Sequence, residues 1–303
     1  MSAQPKDRKR PFFVLGAQRS GTTMLRLMLN NHPNLAIPHE TAFMTVYYHR
    51  LHEYGDLGRP ENAARLLDDI AEHPLVVRGR HIGDKAAVLS HPVSSFPDLI
   101  DAIMSEYAAA RGKSRWGDKT PFYTPDIDIL WRLFPGCKIV HLVRDGRDVA
   151  LSQRKISWLS SNLQSLAGDW RWKTTICHKV GAVLGPDHFL EMRYEDLVHD
   201  PDASLRRICN FLEEPFVPDM LQYHEGARSV VPEESLQWHR NSVSAPNPAK
   251  LFEWKRKLSR ADRIIYEQIA GPTLDLFGYE RERRPSTIGS RLKNFYYAAI
   301  VRW

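Results

Sequence analysis

Arg19, Ser20, Gly21, Thr22 and Thr23 stand where an apolar run, PFFVLG, gives way to a helical pattern. With Gly16 they make a glycine-bounded loop whose backbone N–H groups and helix N-terminus point at an anion. In the phosphate loop of nucleotide triphosphatases, G-x-x-x-x-G-K-[ST], a lysine after the second glycine reaches the β- and γ-phosphates. Here that position is Thr22, and the cation sits inside the loop as Arg19. The loop suits an anion and is poorly equipped for ATP. A second basic motif, VRDGRDVALS, puts Arg144 at the end of a strand-like run and Ser152 one to two turns into the next helix. Ligands of open parallel sheets bind at the carboxyl ends of strands, so both side chains can serve one phosphate. The competing reading of this motif is a solvated helix cap, in which Arg144 and Arg147 pair with Asp145 and Asp148. Taken with the first loop, an anion site here implies a ligand with two separated phosphate groups.

Positioning these residues takes strands alternating with helices, which predicts an α/β fold: a central, mostly parallel sheet flanked by helices in three layers. Strands are expected at FFVLG, LAIPHE, CKIVHLVRD and HFLEMRY. Helices are expected after the first loop as far as Asn31-His32-Pro33, and over 61–72, 97–111 and 125–134. More helices are expected from near Asp145, over 163–184, and over 201–212, the last opened by Asp200-Pro201. The stretch 226–250, rich in Ser, Pro, Asn and charge, reads as a long loop, and such loops are often functional.

The net charge of +6 is placed unevenly. Residues 1–10 contribute +3 and residues 281–303 contribute +5, leaving −2 for the body between them. A nucleic-acid binder concentrates cations on its folded face, so no nucleic-acid partner is expected. The reading is a basic tail over 1–10, one domain over 11–280, and a basic amphipathic extension over 281–303. The extension, SRLKNFYYAAIVRW, is compatible with docking on the domain, with a homodimer contact, or with an anionic membrane surface. Cys137, Cys177 and Cys209 show neither a disulfide framework nor zinc spacing. There is no apolar run long enough for a signal peptide or a membrane span. The expected location is the cytoplasm.

Three segments in order, GAQRSGTTMLRLMLNNHPNLAIPHET, KIVHLVRDGRDVALS and RYEDLVHDP, resemble the sulfotransferases that use 3′-phosphoadenosine 5′-phosphosulfate (PAPS). The resemblance runs over about residues 11–260 and is nearest the branch of tyrosylprotein sulfotransferases and many bacterial enzymes. It implies a P-loop-type fold and a co-substrate with a phosphate at each end of its ribose. By it, Arg19, Ser20, Gly21, Thr22 and Thr23 bind the 5′-phosphosulfate, Arg144 and Ser152 bind the 3′-phosphate, and Tyr194 lies near the nucleotide. That branch has an acid twenty-one positions after the loop arginine, here Glu40, and a lysine twenty-five before the second-site arginine, here Lys119. A loop before W-[KR]-x-x-L closes over the nucleotide in the family, and Arg240–Lys250 leading into Trp254-Lys255 corresponds to it.

The implied reaction moves a sulfuryl group from PAPS to a hydroxyl of a glycan or glycolipid, a peptide tyrosine or a small alcohol. Glu40 is then the general base, with His39 a weaker candidate, and Arg19 and Lys119 stabilise charge on the leaving phosphate. With cations supplied by the protein, no metal is expected. Two other classes stay open from the residues alone: a P-loop kinase of a small metabolite, and a non-catalytic nucleotide-binding module. Phe43, Tyr47 and Tyr48 are compatible with an acceptor pocket and, equally, with core.

Overall fold

Phe12–Leu15 (β1) is apolar throughout and wholly buried, as a strand covered on both faces must be. In the computed structural model, which describes residues 10–156, 162–226 and 242–282, β1 is the middle strand of five. The others are Leu35–Ala36 (β2), Arg115–Asp118 (β3), Lys138–Val143 (β4) and Phe189–Arg193 (β5), in the order β2-β3-β1-β4-β5. Every pairing is parallel, with Phe13 opposite both Asp118 and Ile139, and His141 opposite Glu191. A sheet with all strands parallel has all its carboxyl ends on one edge, so the segments that leave the strands gather there. Those segments carry Arg19 after β1, Glu40 after β2, Lys119 after β3, Arg144 after β4 and Tyr194 after β5.

The described residues divide into two compact units. The first takes in the chain up to Arg144 and Lys173–Leu251. It holds the sheet and the helices Thr22–Asn30 (α1), Phe43–Tyr48 (α2), Pro60–Glu72 (α3), Pro74–Gly79 (α4), Lys85–Leu89 (α5), Phe96–Ala109 (α6) and Ile127–Leu133 (α7). The second takes in Asp145–Trp172 and the described residues from Phe252 onward, and begins with Gly146–Gln153 (α8). Leu163–Leu184 (α9) returns the chain to the first unit, which then adds Tyr194–His199 (α10) and Pro201–Leu212 (α11). Trp254–Lys257 (α12) and Arg260–Leu276 (α13) complete the second.

The first unit's core joins Phe13, Leu15, Phe43, Tyr47, Ile100, Trp116, Phe134 and Ile139. Phe13 meets Trp116 and Phe134 with ring centroids 6.0 Å away in each case, contacts worth about 0.5–1.5 kcal/mol beyond area burial. Phe43 and Tyr47 are thus core residues, and the Tyr47 hydroxyl donates to the Asp69 carbonyl at 2.7 Å.

The helices α4, α5, α10, α12 and α13 were not read in the sequence, and LAIPHE supplies a strand of only two residues. Two further differences are at β3 and before α7. β3 has the composition RWGD, which carries no strand signal, because charged ends disguise it. Arg115 is buried against Glu214 Oε1 at 3.1 Å, and Gly117 has no side chain because a Cβ would lie 2.4 Å from the Phe12 ring. The expected helix over 125–134 begins only at Ile127, after a 3-10 turn over Pro121–Asp126 that contains Pro125. Of the expected loop, 227–241 lies outside the described residues, as do 1–9 of the basic tail and 283–303 of the extension. Arg10 is tied in, since its carbonyl accepts from Arg115 Nε at 2.8 Å.

Candidate active site

The loop between β1 and α1 is held at its start by Thr124. Thr124 Oγ1 accepts from Gly16 N–H at 3.0 Å and donates to the Gly16 carbonyl at 2.9 Å. A Cβ on Gly16 would come within 2.5 Å of the Leu142 carbonyl, so only glycine lets β1 end so close to β4. Arg19 adopts φ 75°, a left-handed conformation that costs a non-glycine residue about 1–2 kcal/mol. Gly21, at φ 97°, precedes α1 without capping it by a side chain, and no acid occupies the helix's first turn. The first-turn N–H groups and the positive end of the helix dipole therefore meet no capping side chain or first-turn carboxylate. Ser20 Oγ is fully buried with no hydrogen-bond partner among the described residues.

Cations and one carboxylate surround this loop. Lys119 Nζ donates to Glu40 Oε1 at 2.6 Å and to Thr23 Oγ1 at 3.3 Å, which ties the ends of β2 and β3 to the first turn of α1. Only 1% of the Lys119 side chain is exposed, against 21% for Glu40, so the carboxylate is the partner that solvent or substrate reaches. Burial holds the Lys119 ammonium below its ordinary pKa in spite of Glu40. Arg19 is also held down, by burial and then by Arg144, with Glu40 and Tyr194 offsetting only part. Arg144 Nη1 donates to the Arg19 carbonyl at 3.4 Å, and its guanidinium lies 4.7 Å from the Tyr194 ring centroid. That ring also closes on the loop, for a Cβ on Gly21 would sit 2.2 Å from it.

The profile of the sulfotransferase family matches residues 11–219, which include every one of these side chains. The chain belongs to the sulfotransferase family. Its sequence is similar to protein-tyrosine sulfotransferase A of Caenorhabditis elegans, 25% identical across 93% of this chain and 71% of that protein. It is similar to the Drosophila melanogaster protein-tyrosine sulfotransferase at 25% identity, covering 91% of this chain and 53% of the other. Among solved structures, the sulfotransferase domain of the Synechococcus PCC 7002 olefin synthase aligns with a TM-score of 0.63 at 27% identity, over 93% of this chain and all of that one. The protein is a sulfotransferase of P-loop-type fold that moves a sulfuryl group to a hydroxyl acceptor.

In this sulfotransferase the sheet edge brings together Arg19, Ser20, Gly21, Thr22, Thr23, Glu40, Lys119, Arg144 and Tyr194, all in the first unit. Ser152 lies half-buried in α8, in the second unit. His39 is pushed down to about 2 by burial and then by Lys119, Arg26, His81 and Arg78, so its imidazole stays neutral and is a poor proton acceptor.

Arg147 is no solvated cap. It is buried, gives Nε and Nη2 to the two Asp145 oxygens at 3.0 and 2.8 Å, gives Nη1 to Glu267 at 2.6 Å, and lies 3.4 Å from the Trp254 ring centroid. Trp254 N–H donates to Asp148 Oδ1 at 2.9 Å. Of the loop before it, Arg240 and Asn241 lie outside the described residues. Sequence reasoning missed Thr41, Asp118, Thr120, Tyr123 and Thr124. The run of hydroxyls in GDKTPFYT around Lys119 was the available signal.

Proposed function

We propose that this sulfotransferase takes its sulfuryl group from PAPS and that Glu40 is the general base toward the acceptor hydroxyl. The observation that carries the reading is the Lys119 ammonium, which touches both the loop at Thr23 and the carboxylate at Glu40. That contact sets a proton acceptor beside the place where an anion would be cradled. The buried Ser20 hydroxyl without a partner and the Arg19–Arg144 pair fit a phosphate-bearing ligand. Residues 19–23 would hold the 5′-phosphosulfate, and Arg144 the 3′-phosphate. When bound, PAPS supplies a sulfuryl group on a phosphate leaving group.

The protein's part is then position and charge. Glu40 takes the acceptor O–H proton as the new S–O bond forms. An ammonium has three N–H donors, and Glu40 with Thr23 uses two of Lys119's, so a third can meet charge that develops on the leaving oxygen. Arg19 is held below its ordinary pKa by burial and by Arg144, an imbalance that an incoming anion relieves. The C. elegans and Drosophila relatives are named for protein tyrosine. A peptide tyrosine is accordingly the first acceptor to try, before a glycan or small alcohol.

Glu40→Gln is expected to lower turnover by ~10²-fold or more while affinity for adenosine 3′,5′-bisphosphate stays near wild type. Full activity in that variant removes Glu40 as the base. Radiolabelled transfer from PAPS into a cell extract, fractionated into peptide, glycan and lipid, identifies the acceptor.

A further inference from the structure

Behind the Glu40–Lys119 pair lies a buried hydrogen-bonded knot made by the residues next to each partner. Thr41 Oγ1 donates to Asp118 Oδ2 at 2.7 Å, and Thr41 N–H donates to Thr120 Oγ1 at 2.9 Å. Thr41 Oγ1 is also 2.8 Å from the Tyr123 hydroxyl, which accepts from Met44 N–H at 3.0 Å. A hydroxyl has one proton to give. With Thr41's spent on Asp118, the Tyr123 O–H must donate to Thr41, so the chain runs Met44, Tyr123, Thr41, Asp118 in one direction. Thr41, Asp118, Thr120 and Tyr123 are all fully buried.

We propose that Thr41, Asp118 and Tyr123 are positioning residues that fix where the Glu40 carboxylate and Lys119 ammonium stand against the nucleotide loop. Glu40 immediately precedes Thr41, and Lys119 lies between Asp118 and Thr120, so the knot clamps both main chains within one residue of the working side chains. Ala42, next in line, adopts φ 56°. A non-glycine residue persists in that conformation only where its surroundings over-determine it. The same segment reaches the loop itself through Thr124 and Gly16. Burial pushes the Asp118 carboxyl up to about 6, against the pull of Thr41, Thr120 and Lys119. A carboxyl so disfavoured stays in a core only where it is hydrogen-bonded, as Asp118 is by Thr41.

This inference rests on the reading of Glu40 as base, and the test separates the two. Thr41→Val and Tyr123→Phe each remove one oxygen and keep shape, while Thr41→Ser keeps the hydroxyl. The measurements are kcat for sulfuryl transfer from PAPS, Kd for adenosine 3′,5′-bisphosphate and the melting temperature. The expected result is a fall in kcat of about tenfold or more in Thr41→Val and Tyr123→Phe, a Kd within about threefold of wild type, and recovery in Thr41→Ser. Wild-type kcat in both oxygen-deleted variants overturns the proposal, and so does a loss of kcat matched by an equal loss of affinity. Should Thr41→Val fail to fold, Tyr123→Phe decides alone. A fully active Glu40→Gln overturns the base assignment, whereas an inactive Glu40→Gln beside wild-type-like Thr41→Val and Tyr123→Phe overturns the knot alone.

Discussion

Arg19 and Arg147 are both taken out of water, and their surroundings push them in opposite directions. At Arg147, burial disfavours the charge, but its hydrogen bonds to Asp145 and the charges of Asp145 and Glu267 outweigh it and hold the pKa above its ordinary value. At Arg19, burial and a second guanidinium, Arg144, outweigh Glu40 and hold the pKa below. The first arginine has had its electrostatic needs met by the fold. The second is held below its ordinary pKa by burial and a neighbouring guanidinium, at the end of a parallel sheet and beside a helix that no acid in its first turn caps. Buried cations alone therefore mark nothing in this chain, and the balance of their neighbours tells structure from site.

The strongest way to break that contrast is to remove Arg147. Arg147→Ala leaves Asp145 and Glu267 buried without their partner, and a loss of about 3–5 kcal/mol of stability is expected, read by denaturant unfolding of the free protein. Wild-type stability in that variant would cancel the distinction.

The next effect concerns Asp118, which belongs with Arg19 among the groups held against their charge. Its folded pKa of about 6 is above the ordinary 3.8. Its contribution is thus fully present below pH 4 and is lost as pH rises to 6, about 3 kcal/mol in all. Asn at this position still accepts from Thr41, so Asp118→Asn should be at least as stable as wild type at pH 7.5. His39 acts with opposite sign. Its pKa is lowered from 6.5 to about 2, so its contribution is present above pH 6.5 and is lost as pH falls. With Asp118 gone, the melting temperature should drop more steeply between pH 6.5 and 4. An unchanged slope would count against the buried Asp118 charge.

Smaller still, Arg144→Ala should weaken adenosine 3′,5′-bisphosphate by about 10- to 100-fold, the worth of a charged hydrogen bond, while lowering the stability of the free protein by much less than Arg147→Ala does, since it gives up the Tyr194 ring contact and the hydrogen bond to Arg19 rather than buried ion pairs. Isothermal titration on that variant measures it, and unchanged affinity would mean that Arg144 resembles Arg147 after all. Least of all, Tyr194→Leu removes a cation–π contact worth about 0.5–1 kcal/mol and should weaken the same ligand by two- to fivefold.

The strands and helices were legible where hydrophobic periodicity is local. FFVLG, the helix after it, 163–184 and 201–212 were all readable from residues that touch their own neighbours. RWGD was not, because what makes it a strand is Glu214 accepting Arg115 and the Phe12 ring passing over Gly117. The loop residues announced themselves through glycine spacing. Arg144 and Arg147 looked alike, since the acid that sets Arg147 apart, Glu267, lies 120 residues downstream. Thr41 and Tyr123 were invisible for the same reason, as their 82-residue separation leaves no periodic trace.

The Thr124 clasp on Gly16 spans 108 residues. A ribosome has therefore delivered the complete glycine loop long before the hydroxyl that closes it is synthesised. Contacts of such range make folding slow and leave early fragments without their native partners. A closed glycine loop should consequently appear late during translation, as a signal that distant parts of the chain have met, and a fragment ending before Thr124 would carry the motif without the clasp.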